Sequence, residues 1–173
     1  MRMTKVLVGT LMLGAASLVM AQSVRLDYDP RTDFSKYRTF ALKEGTPAPS
    51  PLIQKRIEEA LVAQLESKGL KRASGDGDLD VFTHVRVNVE KRVDFDTFGY
   101  RGYRGWGTTS ANVTEVSVGT LIVDLVDSGR KELVWRGVAT DTLPQSSTPE
   151  KSEKRIHKAM AKLFKKFPPP PAE

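Results

Sequence analysis

Tyr100, Arg101, Tyr103, Arg104 and Trp106 alternate with Gly99, Gly102, Gly105 and Gly107. The pattern sets ring faces and guanidinium groups on a backbone with few steric limits. Rings stack on sugars, headgroups or bases, and guanidinium groups pair with phosphate or sit over rings, so this stretch is suited to gripping a ligand. Lys158, Lys162 and Lys165 recur at helical spacing and form a second candidate surface, one suited to anionic lipid. Both sets point to binding rather than catalysis.

The residue types that perform catalysis are sparse and badly spaced. His84 and His157 are the only histidines and no H-E-x-x-H occurs, so a metal site would have to be assembled from distant carboxylates. Asp76, Asp78 and Asp80 form a D-x-D-x-D run, but an EF-hand starting at Asp76 needs Gly at 81 and Glu at 87, and both are Val. There is no Cys, hence no thiol nucleophile, thiolate site or disulfide. No G-x-S-x-G elbow, Walker A or G-x-G-x-x-G signature is present, and Ser128-Gly129 lies in a turn. The acid pairs Asp94/Asp96 and Asp124/Asp127 have spacings common on protein surfaces. We therefore assign no catalytic residue, metal or cofactor. The alternative is an envelope hydrolase whose site is gathered from residues distant in sequence.

Location is read from the amino terminus. Arg2 and Lys5 precede an apolar run, Val6 to Val19, and Val19-Met20-Ala21 matches a signal peptidase site, so residues 1–21 read as a signal peptide cleaved after Ala21. The expected destination is the periplasm or the medium. With no Cys after the cleavage site, lipid anchoring is not expected, and after cleavage the protein is not expected to be an integral membrane protein. Losing Arg2 and Lys5 lowers the net charge of +6 by two, to +4. For an exported protein the acidic partners in reach are anionic lipid, lipopolysaccharide or cell-wall polymer, or another envelope protein, and not nucleic acid.

The elements that must position these residues follow from periodicity. Val24, Leu26 and Tyr28 alternate with charges as a first strand, and Tyr37 to Leu42 forms a second. Pro51 opens a helix with the stripe Ile53, Ile57, Ala60, Leu61, Leu65, capped by Ser50 and closed at Gly69. Leu79 to Val89 alternates cleanly. A strand from about Asn112 to Val126 changes phase near Gly119-Thr120, where a β-bulge is expected. Asp127 to Arg130 turns that strand, through positive φ at Gly129, into another containing Leu133 to Val138. Thr148-Pro149 starts a second helix with the stripe Ile156, Ala159, Met160, Leu163, Phe167, followed by a proline-rich tail, residues 168–173. The fold class is α+β: a mainly antiparallel sheet of about five strands, in the order β-β-α-β-β-β-α, with both helices on one face and residues 22–167 in a single domain.

Several of these residues also carry a resemblance. Asp27-Tyr28-Asp29-Pro30, Asp33-Phe34-Ser35, Tyr37-Arg38-Thr39-Phe40, Lys68-Gly69, Asp78-Leu79-Asp80-Val81, Gly119-Thr120-Leu121, Leu133-Val134-Trp135-Arg136-Gly137 and Phe167-Pro168-Pro169 occur in order. Together the chain resembles the bacterial envelope family "domain of unknown function 4136". The resemblance implies exported Gram-negative proteins, many with a lipoprotein signal that this chain lacks, an α+β domain, and no catalytic residues to carry over. The expected function is a non-enzymatic binding or structural module of the periplasm or cell envelope.

Overall fold

Strand alternation and two amphipathic helices assemble as one sheet with one covered face. The computed structural model describes residues 22–98 and 108–170. Its elements are β1 (Ser23–Tyr28), β2 (Thr39–Thr46), α1 (Pro51–Ser67), β3 (Lys71–Arg72), β4 (Leu79–Phe98), β5 (Thr108–Asp127), β6 (Glu132–Leu143) and α2 (Pro149–Leu163). A 3-10 turn at Phe34–Lys36 precedes β2, and another at Phe164–Lys166 follows α2.

The sheet order is β1-β6-β5-β4-β2-β3. This corrects the sequence expectation twice: the described residues form six strands rather than five, and the sheet is mixed. The pairs β1–β6, β5–β6 and β4–β5 are antiparallel, whereas β2 runs parallel to both β3 and β4. The crossover through α1 brings the chain back in the direction of β2, which makes β2–β4 parallel. At two residues, β3 is too short to leave a period in the sequence. It is fixed by backbone bonds, Lys71 N–H to Arg38 O at 2.8 Å and Ala73 N–H to Phe40 O at 2.8 Å.

One parity of each central strand faces the helices. Leu79 and Val81 of β4 and Leu121, Val123 and Leu125 of β5 are buried against Ile57, Leu61 and Leu65 of α1 and Ala159, Met160 and Leu163 of α2. Thr148 caps α2 by accepting from Lys151 N–H at 3.3 Å. Ser50 occupies the N-cap position of α1 but makes no side-chain cap. Gln54 instead turns back and accepts from Ala48 N–H at 2.9 Å.

The expected bulge at Gly119 is not there: β5 keeps unbroken register with β4 from Leu79↔Asp127 to Phe98↔Thr108. The irregularity lies against β6, between Leu125 and Val126, where Val134 is the extra residue. It lets Val134 and Trp135 both be buried, each 1% exposed. The phase change at Gly119 has another cause: Val116 and Val118 belong to the opposite face of β5. Trp135 stacks on Phe164 at 5.1 Å and meets Phe167 edge-on at 5.6 Å. Gly137 makes room for it, since a methyl there would lie 2.5 Å from the indole Cη2.

The β5–β6 turn is organised by Asp127 rather than by Gly129. Its Oδ1 accepts from Gly129 N–H at 3.0 Å and Arg130 N–H at 2.9 Å. The left-handed residue is Lys131, with φ 58°. Among the described residues no helix is long and apolar enough to cross a membrane.

Candidate functional site: an apolar cleft between the helices

Near one end of the body the helices stand apart over the sheet and leave a cleft of about 350 Å³, within the range of small-molecule sites. Its walls are Ile53 and Ile57 of α1 and Ile156 and Ala159 of α2, and its floor is Val85, Leu121, Ala139 and Leu143. Gly119 lies in that floor against the end of the Leu143 side chain: a methyl on it would come within 3.1 Å of both Leu143 Cδ atoms, which would have to shift to admit it.

A polar group lies at the rim. Arg155 Nη2 donates to Asp141 Oδ2 at 2.8 Å and also to the carbonyl of Thr142. Gln22 Nε2 donates to Asp141 Oδ2 at 3.1 Å and to Arg155 O at 3.3 Å. Gln22 Oε1 is buried without a partner. The charges of Arg155 and Asp141 answer each other, and of the serines that also line the cleft Ser152 Oγ donates to Ser147 Oγ (3.0 Å) and Ser147 Oγ to the Thr148 carbonyl (3.3 Å), so the acceptor left without a partner is Gln22 Oε1. An apolar body with a hydrogen-bond donor at one end matches these groups.

The residues singled out from sequence are placed elsewhere. Tyr100, Arg101, Tyr103, Arg104 and Trp106 lie outside the described residues. Lys158 and Lys165 are exposed, while Lys162 is partly buried and donates to Gln22 O at 3.3 Å. One lysine of the proposed lipid-facing row thus holds the first strand onto α2. The cleft went unrecognised, although two signals pointed to it. Asp141 shares the parity of the buried Trp135 and Ala139, and Arg155 precedes Ala159 by one helical turn on the apolar stripe.

Neither histidine lines the cleft. His84, on the open face of the sheet, accepts Thr46 N–H at Nδ1 (3.1 Å), and its Nε2 is 3.8 Å from Asp124. Asp124 is itself clasped by Arg136 through two bonds of 2.6 Å. His157 sits 3.9 Å from Glu153 on the surface of α2. The D-x-D-x-D run is divided among separate tasks. Asp78 accepts the N–H groups of Arg38 (2.8 Å) and Thr39 (2.9 Å), which hold its carboxyl below the usual range. Asp80 lies between Lys43 and Lys131. Among the described residues no group of three or more His, Asp or Glu is placed to hold a metal ion.

A mixed sheet with two helices on one face and a cleft between them defines an α+β domain. The description "Domain of unknown function (DUF4136)" matches residues 24–169, and the chain belongs to that family. No curated protein matches it. Among solved structures it is similar to a PDZ domain protein from Parabacteroides distasonis, with TM-score 0.58 and 13% identity. That likeness covers 87% of this chain but only 37% of the other, so the chain spans well under half of that relative. It is also similar to the PelC dodecamer from Paraburkholderia phytofirmans, with TM-score 0.51, 15% identity and coverage of 83% and 96% respectively. At these identities the likeness is one of fold.

Proposed function

We propose that this is an exported protein of the periplasm or cell envelope that works without catalysis, as a binding module whose cleft takes the acyl chain of an envelope amphiphile. The observation that carries the reading is the cleft itself: apolar on its walls and floor, with an unpartnered acceptor among polar groups at its rim. A single chain ending in a hydroxyl or amide fits both halves, since its body displaces water from apolar walls while its head donates a hydrogen bond. The signal-like residues 1–21 support the location, as does the envelope setting that the resemblance to the family implies.

The test is titration of the purified protein with dodecanol and with dodecane-1-sulfonate, followed by calorimetry. Dodecanol is expected to bind with a negative heat-capacity change, and Ile53→Trp, which fills the mouth without touching the innermost core, to weaken it at least about tenfold. Equal binding by wild type and Ile53→Trp would remove the cleft as the site. Preference for the sulfonate would move the headgroup to the lysines of α2.

A further inference from the structure

The β4–β5 hairpin outruns the rest of the sheet. β2 leaves β4 at His84, and β6 leaves β5 at Ser117, whereas β4 and β5 stay paired out to Phe98↔Thr108. Beyond Val89 the two strands pair only with each other. A two-stranded ribbon is marginal in water, and the outer edge of β4 presents unpaired backbone groups from Val85 onward. On its helix-facing side Val87, Val89, Val93 and Val113 are 43%, 65%, 46% and 62% exposed. Those four valines continue the apolar floor of the cleft outward with nothing covering them among the described residues.

We infer that the outer edge of β4 pairs antiparallel with the same edge of a second copy of this chain, about a two-fold axis through Lys91. The sequence of the edge selects both occupant and register. With Lys91 on the axis, Glu90 lies opposite Arg92 of the second copy and Arg92 opposite its Glu90, giving two opposite-charge pairs by symmetry. Val89 meets Val93 on the other face, again twice. A shift of the axis to Arg92 or to Glu90 places like charges opposite themselves and unpairs the valines. The parity is preserved, so both copies keep their helices on the same side of a continuous sheet. Lys91 meets its own image at the axis, but Glu115 is its cross-strand neighbour within each copy and offsets that repulsion. Glu90 and Arg92 have Val116 and Thr114 as cross-strand neighbours, so neither faces a charge directly across the β4–β5 pair.

The chain contains no cysteine, which makes the register directly testable. In this register Lys91→Cys joins itself in a symmetric disulfide on mild oxidation, because directly opposed Cα atoms lie about 4.5–5.5 Å apart. Val89→Cys and Val93→Cys each form no disulfide alone and crosslink when mixed. Sedimentation from low micromolar to near-millimolar concentration is expected to show a monomer–dimer equilibrium. Arg92→Glu raises its dissociation constant at least about tenfold, and the Glu90→Arg/Arg92→Glu exchange restores it. Circular dichroism of the reversed variant establishes that it is folded. A monomer at every concentration, a larger ring, a dimer indifferent to Arg92→Glu, or an exchange variant as weak as the single reversal would each overturn the inference.

Discussion

Gln22 and Asp141, 119 positions apart, are joined by a 3.1 Å hydrogen bond at the rim of the cleft. The same carboxylate oxygen receives Arg155 at 2.8 Å, so three segments meet on one atom: the residue before β1, the end of β6 and the second turn of α2. Arg155→Ala removes the cation but leaves Asp141 largely out of water. We expect a loss of about 1–2 kcal/mol and weaker dodecanol binding, read by denaturant titration and calorimetry. Arg155→Lys restores only part of either, because an ammonium does not reproduce the fork that reaches Asp141 and Thr142 together.

Gly119 and Gly137 make opposite predictions although both lie in the central strands. A methyl at Gly137 meets Trp135 at 2.5 Å and Leu163 at 2.8 Å, and both side chains are enclosed by the core. Gly137→Ala is expected to cost about 2–3 kcal/mol. At Gly119 the obstacle is the end of the Leu143 side chain, which is only partly buried and free to turn. Gly119→Ala should change stability by less than about 1 kcal/mol while shrinking the cleft and weakening dodecanol binding. Equal losses of stability in the two variants would show that Leu143 is as confined as Trp135.

Acid should unfold the protein through Asp127. Burial opposes its charge, but Arg130 N–H, Lys36, Tyr37 and the Arg130 side chain outweigh it and hold the carboxyl well below its usual range. The unfolded chain takes up the proton near pH 3.9 while the folded chain still resists it. The stabilisation is therefore complete above that pH and is lost progressively as pH falls toward the folded value. Asp127→Ala should lower stability by about 3 kcal/mol at neutral pH and flatten the dependence below pH ~4. Thermal melts from pH 7 to pH 2 check both; an unchanged acid slope would assign it to other carboxylates.

What was legible in the sequence depended on whether the signal was local. The Leu121 to Val138 hairpin and both helix starts follow from period, turn chemistry and proline placement within a few residues of each other. The third strand was not legible because two residues have no period, and the parallel pairing of β2 with β4 depends on how α1 crosses. Gly119 was misread because a phase change has two causes, a bulge or a change of the face that carries apolar groups, and only the register of β4 with β5 separates them. The cleft was the least legible feature: Gln22 and Lys162 act there through partners 119 and 140 positions distant.

Export with cleavage after Ala21 would make Gln22 the amino-terminal residue, and the structure attaches a consequence to that. An amino-terminal glutamine cyclises when its amine attacks the side-chain amide carbon and expels Nε2 as ammonia. Here Nε2 donates to Asp141 and to the Arg155 carbonyl, while Gln22 O accepts from Lys162. Cyclisation would break the first two bonds, so the fold should slow it. Intact-mass measurement of native protein from the envelope fraction is expected to give a chain starting at an uncyclised Gln22. Asp141→Ala, which removes one of the two acceptors, should lose ammonia several-fold faster at neutral pH. A chain retaining Met1 in the cytosol would overturn the export reading. Equal cyclisation rates in wild type and Asp141→Ala would leave export standing but show that the rim bond does not restrain Gln22.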